Sequence, residues 1–185
     1  VGKPWDQVEI KIGENGEILN KSPYLLKEYY KNPDYTNEVL VDGWFNTGDK
    51  GHLDDKGYLH ITGRVKDIFK TSKGKYIEPH LIEEKFEKSN LFQQLCIVGL
   101  GLVQPILLAV PNEQALNDKE KTEESLKKIL LDFNSTADGY KKVKKIILLS
   151  EDWTPENGLT TPTLKIKRAK IDEAFSSKYQ NWYND

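Results

Sequence analysis

The sequence has a single cysteine among its 185 residues and no methionine. One cysteine excludes a disulfide framework within the chain, which fits a reducing compartment, so we expect a cytoplasmic protein. Cys96 itself lies in the apolar run LCIVGL. A buried small hydrophobe is favoured there over a reactive nucleophile.

The sequence also lacks a large excess of charge of either sign, and it has few long hydrophobic runs. The formal net charge is −2 and the pI is about 6.0, so the chain has no bulk attraction to nucleic acid or to anionic membranes, and no nucleic-acid partner is predicted. The longest apolar stretch, residues 95–110, is broken by Gln104 and Pro105. It therefore predicts two strands and a turn, with no transmembrane segment. Peripheral association with a membrane stays open.

Histidines are few, and His52, His60 and His80 lack the spacing of metal ligands. His52 and His60 fall on the two strands of a predicted hairpin, where we expect them to be cross-strand surface neighbours. We therefore predict no metal site built from the residues of this chain.

The chain does hold enough apolar sequence, 37% of its residues, to form a core. Residues 1–65 predict mostly β-structure, with one hairpin around GENG and a second whose turn covers residues 54–57. The segment between these hairpins is helix-like in part, and Pro23 and Pro33 interrupt it.

From about residue 67 the pattern changes to that of a small α+β domain. IFKTSKGKYIE predicts a lysine-rich hairpin, and LCIVGL, PILLAV and KKIILLS predict strands. One helix is predicted to begin at Pro79 and to place Leu81, Ile82 and Phe86 on one face. Two further helices are predicted over KEKTEESLKKILLDFNSTA and KIDEAFSSKYQNW, with a Pro/Gly/Thr-rich loop, EDWTPENGLTTPT, before the last one.

Two residues of the first part are candidates for nucleotide binding. Asp49 follows Thr47-Gly48 and could accept hydrogen bonds from the hydroxyls of a ribose, although this stretch alone favours an ordinary Gly-Asp turn. Arg64 ends the second hairpin, and its planar fork of donors suits phosphate or ribose oxygens. Taken alone, Arg64 is better explained by a surface ion pair with Asp49 or Asp67.

Two residues of the second part are candidates for a site. Gly74 in TSKGKY could form an anion-binding turn, because glycine allows positive φ, but a plain hairpin turn is the simpler interpretation. Lys165 follows the Pro/Thr loop and could stabilise a developing phosphate charge. Taken alone, Lys165 is better explained as part of a solvated basic start of the last helix.

The order and combination of these motifs change the interpretation. GWFNTGD, then GYLHITGRVKDIFKTSKGKYIEP, then LTTPTLKIKR about a hundred residues later, resemble the C-terminal motifs of the adenylate-forming superfamily. That superfamily includes acyl-CoA synthetases, luciferases and the adenylation domains of peptide synthetases. The motif has the sequence TPTLKIKR in place of the commoner Ser-Gly-Lys form, and in this it resembles the motif of the long-chain fatty acid:CoA ligases.

The resemblance implies an α+β chain with two parts. Residues 1–65 are expected to be the C-terminal, β-rich part of a large N-terminal domain that binds ATP and the acyl group. Residues 66–185 are expected to be the small, mobile C-terminal domain, with its hinge at Lys66. The phosphate loop and the acyl pocket of the family are expected upstream of this chain.

The resemblance also implies a role for each candidate residue. Asp49 matches the carboxylate that holds the ribose of ATP, and Arg64 matches a second nucleotide contact. Gly74 matches the turn that lines the channel for the pantetheine of CoA. Lys165 matches the catalytic lysine that contacts the carboxylate and the α-phosphate during adenylation. The chain departs from many members at Leu164, where they have glycine.

The implied activity is that of an AMP-forming ligase. It activates a long-chain fatty acid as acyl-AMP, with Mg²⁺ bound to ATP mainly by the upstream part, and then transfers the acyl group to CoA as co-substrate. The fragment alone is expected to be inactive. Two alternatives stay open: an acyl-AMP ligase that passes acyl groups to a carrier protein, and a non-enzymatic binding module on the same fold.

Overall fold

A computed structural model describes residues 1–184 of the chain. The chain divides into two compact units, Val1–Asp67 and Ile68–Asp185, and the boundary falls beside the predicted hinge residue, Lys66. Asp185, the last residue of the predicted second domain, lies outside the described residues.

The first unit is built on an antiparallel five-stranded sheet. Both predicted hairpins are present: β1 pairs with β2, and β4 pairs with β5 around the turn at residues 54–57. Strand order is β1-β2-β4-β3, with β5 also paired to β4. The strands are β1 Glu9–Ile12, β2 Glu17–Lys21, β3 Leu40–Val41, β4 Trp44–Leu53 and β5 Leu59–Arg64.

The one α-helix of this unit among the described residues is α1, Pro33–Val39. The segment is helix-like in part, as predicted, but Pro33 begins the helix where an interruption was predicted. Proline is favoured at the first helical position because its missing N–H has no partner there in any case. The side chain of Asn32 caps the helix by accepting a hydrogen bond from the N–H of Tyr35 at 3.3 Å.

The second unit has a two-stranded hairpin and a three-stranded sheet. The predicted lysine-rich hairpin consists of β6, Phe69–Lys70, and β7, Tyr76–Ile77. In the sheet, β9 lies between antiparallel β8 and parallel β10. The strands are β8 Phe92–Val98, β9 Ile106–Pro111 and β10 Ile146–Leu148, and the helices are α2 Pro79–Glu87, α3 Glu113–Asn117, α4 Lys119–Thr136 and α5 Arg168–Asn184.

Helices and loops cover both faces of this sheet. Side chains of β8 and β9 alternate between two clusters, one packed against α5 and Trp153, the other against α2 and α4. All six residues of β9 are buried. A strand buried on both faces reads as a continuous apolar run, which is why PILLAV shows no alternation.

The apolar stretch at residues 95–110 thus belongs to β8, a turn and β9, as predicted. Within residues 1–184, no helix is both long enough and apolar enough to cross a membrane. Cys96 is fully buried in β8, as predicted.

One face of α2 differs from the prediction. Ile82 and Phe86 are buried, but Leu81 is 41% exposed, and Glu83 is buried in its place. Residues 79, 82, 83 and 86 follow the i, i+3, i+4, i+7 spacing of a single helical face, which excludes residue 81. The prediction for Leu81 was therefore wrong, because it followed hydrophobicity instead of the helical period.

Candidate functional site

Asp49 and Arg64 face each other on adjacent strands of the first unit. They are directly paired in the register of β4 and β5, and Arg64 Nε lies 2.9 Å from Asp49 Oδ1. The side chain of Arg64 is 62% exposed and that of Asp49 is 30% exposed. The structure therefore brings these two predicted residues together, in the ion pair that was the simpler interpretation of Arg64.

Hydrogen bonds at the Thr47-Gly48 step hold the backbone that leads into Asp49. Gly48 has φ of 71°, and its N–H donates to Glu17 Oε1 at 2.9 Å. The N–H of Asp49 donates to Thr47 Oγ1 at 3.1 Å, and Thr47 Oγ1 donates to the carbonyl of Ile18 at 2.7 Å. A positive φ is easy for glycine, which explains the Thr-Gly-Asp order at this irregular point of β4.

The predicted hinge residue lies in a single 3₁₀ turn, Val65–Asp67, directly after β5. Lys66 is exposed, and its Nζ lies 3.6 Å from Glu38 Oε1. An exposed pair at this distance contributes little to stability. The contact with Glu38 is therefore only a weak constraint on the position of Lys66.

Gly74 lies in the turn between β6 and β7, with φ of 75°. Its N–H donates to the carbonyl of Thr71, whose own N–H donates to the carbonyl of Lys75, both at 2.9 Å. The N–H of Lys75 donates to Thr71 Oγ1 at 3.1 Å. Three bonds thus close a five-residue turn whose fourth residue is left-handed, which we call the capped turn.

Lys165 is the last residue of a second capped turn. Leu164 is the fourth residue of this turn, the position that Gly74 has in the first one, and its φ is 61°. Its N–H donates to the carbonyl of Thr161 at 2.8 Å. The N–H of Thr161 donates to the carbonyl of Lys165 at 2.8 Å, and the N–H of Lys165 donates to Thr161 Oγ1 at 3.0 Å. The departure from glycine at Leu164 therefore leaves the turn geometry intact.

A third capped turn closes the hairpin between β4 and β5. Asp54 occupies the position of the threonines, Gly57 is the left-handed residue, and Tyr58 is the last residue. The same carboxylate bonds His60 Nε2 at 2.9 Å, and this bond is the main cause that lowers the pKa of Asp54. The turn in this chain thus tolerates Thr or Asp at its first position.

The loop that carries Lys165 is attached to β8 near its beginning. Gln94 Nε2 donates to the carbonyl of Trp153, and the N–H of Trp153 donates to Gln94 Oε1, both at 2.7 Å. The indole of Trp153 is 2% exposed, so it anchors the loop in the core. Lys165 itself is exposed, and Thr160 and Ile166 form a bridge below the turn.

The last helix, α5, closes the same side of the sheet. Ile171 and Tyr179 are buried against the cluster that contains Cys96. The hydroxyl of Tyr179 donates to Asp172 Oδ1 at 2.7 Å, and burial is the main cause that raises the pKa of this phenol. Such packing holds the start of α5, and with it the end of the Lys165 turn, against β8.

Sequence reasoning missed two residues, Glu83 and Arg168. Arg168 Nη2 donates to both carboxylate oxygens of Glu83, at 2.7 and 2.9 Å, and both side chains are nearly buried. A charged residue at a buried position of the helical period was the signal for Glu83. Its partner lies 85 residues away, so no local pattern could identify Arg168.

Two of the three histidines, His52 and His60, lie where the hairpin pattern predicted. His52 and His60 are cross-strand partners with stacked rings, their centroids 5.1 Å apart. Across the described part of the chain, no group of three or more His, Cys, Asp and Glu side chains is placed to hold a metal ion.

Comparison with known proteins identifies the family. Residues 66–185 match the family model described as "AMP-binding enzyme C-terminal domain". The chain therefore belongs to the adenylate-forming superfamily of AMP-binding enzymes, as its motifs predicted.

Two curated relatives have named activities. The long-chain-fatty-acid–CoA ligase FadD15 of Mycobacterium tuberculosis is 29% identical over all of this chain, which covers 34% of that protein. The long-chain-fatty-acid–[acyl-carrier-protein] ligase AEE15, chloroplastic, of Arabidopsis thaliana is 30% identical over 99% of this chain, which covers 29% of that protein. The chain thus spans about a third of the length of the curated relatives it matches.

A solved structure supports the fold. The adenylation domain of a carboxylate reductase from Mycobacterium chelonae matches 92% of this chain with a TM-score of 0.78, at 24% sequence identity. This chain covers 28% of that one. The predicted α+β fold of an adenylate-forming enzyme is therefore confirmed.

Proposed function

We propose that this chain is part of an AMP-forming long-chain fatty acid:CoA ligase. The observation that carries the proposal is that Gly74 and Lys165 occupy two capped turns of one unit, while Asp49 and Arg64 are paired in the other. One unit thus offers two different turns for two successive reactions. The names of the two fatty-acid ligases of similar sequence support the substrate class.

In the first reaction, we assign Asp49 to the ribose of ATP. A carboxylate has about four acceptor sites, so Asp49 can accept hydroxyl hydrogen bonds while it keeps its pair with Arg64. The guanidinium of Arg64 is more than half exposed, which leaves donors available to the nucleotide.

We assign Lys165 to charge stabilisation during adenylation. The fatty-acid carboxylate attacks the α-phosphorus, a new C–O–P link forms, and pyrophosphate leaves with the electrons of the broken P–O bond. The ammonium of Lys165 is suited to the negative charge that develops on the phosphate oxygens. Because its turn is attached to β8, movement of the whole unit is the simplest way to deliver this lysine.

In the second reaction, the CoA sulfur attacks the acyl carbon of acyl-AMP. A C–S bond forms, the C–O bond to phosphate breaks, and AMP leaves with its electron pair while the thiol proton passes to solvent. We assign the Gly74 turn to the channel for the thiol arm, because a glycine there exposes backbone without a side chain. A change of orientation between the two reactions would exchange the two turns.

Mg²⁺ is expected to accompany ATP in such a reaction. Since the described residues form no cluster of metal ligands, we assign none of them to the ion.

Lys165→Ala in the full-length ligase tests the assignment. Adenylation should fall by about 10²- to 10³-fold, because the lost charge acts on the transition state. Thioester formation from supplied acyl-AMP should change little. Lys167→Ala is the matched control, since Lys167 is an exposed lysine two residues away. An equal loss in both half-reactions would contradict this division of roles.

A carrier protein is the second candidate for the acyl acceptor. The Arabidopsis relative named as an acyl-carrier-protein ligase favours it specifically. Release of AMP from the full-length enzyme, measured with fatty acid and ATP, separates the two. Stimulation by CoA supports the CoA ligase, whereas stimulation only by a phosphopantetheinylated carrier protein supports the alternative.

A further inference from the structure

Arg168, three residues after Lys165, makes a nearly buried ion pair. It is the first residue of α5, and its side chain is 14% exposed. Its Nη2 donates to both oxygens of the Glu83 carboxylate, and the Glu83 side chain is 10% exposed. Both contacts come from one nitrogen of the guanidinium, and hydrogen bonds between charged groups are shorter and stronger than neutral ones.

The same pair is bonded to the backbone of β8. Arg168 Nη1 donates to the carbonyl of Ile97 at 2.6 Å and approaches Cys96 Sγ at 2.9 Å. The N–H of Ile97 donates in turn to Glu83 Oε1 at 2.7 Å. One strand, the helix α2 and the start of α5 are thereby joined through a closed set of hydrogen bonds around Ile97.

Stability alone is a weak reason for this arrangement. Replacing a buried ion pair by well-packed apolar side chains is often neutral or stabilising, because both charges lose their hydration. A charged pair does supply a single defined geometry. We therefore ask what the pair positions, and the answer is the backbone at the start of α5, which it holds against Ile97 of β8.

That backbone leads directly to Lys165. The N–H of Lys167 donates to the carbonyl of Leu159 at 2.9 Å, and Thr160 and Ile166 are bridged, so the segment between Arg168 and the capped turn is fixed. At the other end, Gln94 holds Trp153 to the same strand. The loop that carries the turn is thus attached to β8 before it, through Trp153, and after it, through Arg168.

We propose that Arg168 is a positioning residue for Lys165, acting through its ion pair with Glu83. The proposal rests on the proposed function, in which Lys165 acts in adenylation. Arg168 itself is not expected to touch a substrate.

Arg168→Lys in the full-length enzyme is the main test. The variant keeps the charge but loses the planar fork, so the start of α5 can shift on β8. A misplacement of about 1 Å can cost about 100-fold in rate, and we expect the kcat of adenylation to fall on that order. The KM for ATP and thioester formation from supplied acyl-AMP should change little. Circular dichroism measures the folded fraction in parallel.

Two further variants sharpen the result. In a double variant, Lys165→Ala with Arg168→Lys, adenylation should be no slower than in Lys165→Ala alone, because Arg168 acts only through the lysine. Lys170→Met is the matched control, since it removes an exposed ion pair with Glu173 from the first turns of the same helix. It should leave both half-reactions unchanged.

Glu83→Gln provides a milder test if Arg168→Lys folds poorly. Its amide oxygen can still accept from Ile97, but it weakens the charged pair. We expect a smaller loss, again confined to adenylation.

Each contrary outcome has a separate meaning. If both half-reactions fall together in proportion to the folded fraction, Arg168 is only structural and the proposal is wrong. An additive loss in the double variant overturns it as well. If Lys165→Ala leaves adenylation intact, the proposed function of the lysine fails, whatever Arg168→Lys does.

Discussion

Single residues set the shape of the turns in this chain. Three capped turns share the same hydrogen bonds, and their left-handed residues are Gly57, Gly74 and Leu164. Leucine in this conformation costs about 1–2 kcal/mol relative to glycine, because Cβ crowds the following carbonyl. The turn beside the proposed catalytic lysine is therefore the strained member of the set.

Leu164→Gly should raise the free energy of unfolding of the second unit by up to about 1.5 kcal/mol. The gain is the relieved backbone strain, reduced by about 0.4–1 kcal/mol for the greater freedom of glycine in the unfolded chain. Little packing is lost, because Leu164 is 67% exposed. Hydrogen exchange of the buried β9 amides measures the change. A lower free energy of unfolding would mean that Leu164 makes contacts that outweigh its strain.

Gly74→Ala is the reverse control, because it adds a Cβ at the equivalent left-handed position of the first capped turn. A Cβ at Gly74 would lie 3.6 Å from Lys70 Cε, an ordinary contact, so only the backbone conformation is penalised. The same exchange measurement should show a loss of about 1 kcal/mol.

At the scale of elements, the sequence was informative where structure depends on near neighbours. The hairpins of β1–β2, β4–β5 and β6–β7 followed from alternation and turn residues, and the buried strands followed from apolar runs. Pro33 was ambiguous, because proline both interrupts and begins helices. Only the N-capping Asn32 decides between these outcomes.

The sequence predicted which residues belong to the candidate site but not all of the contacts that hold them in place. The Asp49–Arg64 pair could be anticipated because both ends of one hairpin were recognised. The Glu83–Arg168 pair could not, since it joins α2 to α5 across 85 residues. Leu81 was misplaced because its hydrophobicity was followed, whereas the helical period places Glu83 inside and Leu81 outside.

Two alanine substitutions on α2 test this corrected face. Phe86→Ala should lower the free energy of unfolding by about 3–5 kcal/mol, because the ring is fully buried and leaves a cavity. Leu81→Ala should cost less than about 1 kcal/mol, since much of its side chain already meets solvent. Urea unfolding followed by circular dichroism compares them. Similar losses for both variants would restore Leu81 to the core and contradict the structure.

At the scale of the whole molecule, the two units are joined by one short segment. The 3₁₀ turn Val65–Asp67 ends where the second unit begins. Asp49 and Arg64 precede the joint, whereas Gly74 and Lys165 follow it. In the proposed function, the Gly74 and Lys165 turns act in successive reactions, and a change of orientation between those reactions would need different dihedral angles in this segment.

Lys66→Pro in the full-length enzyme should separate the two half-reactions. Proline fixes φ near about −65° and also restricts the preceding residue. If Lys66 is the hinge, its backbone needs different angles in the two arrangements, and a fixed φ suits at most one of them. One half-reaction should persist while the other falls by orders of magnitude. Formation of acyl-AMP and its conversion to acyl-CoA are measured separately.

Lys66→Ala distinguishes the backbone from the side chain in this experiment. It removes the 3.6 Å contact with Glu38 but leaves φ free, so both half-reactions should keep their rates. Proline and alanine variants that lose the same activity would assign the effect to the lysine side chain. If the proline variant retains both rates within a small factor, Lys66 is not the pivot. The joint would then lie elsewhere between Gly63 and Phe69, where the same proline scan can be continued.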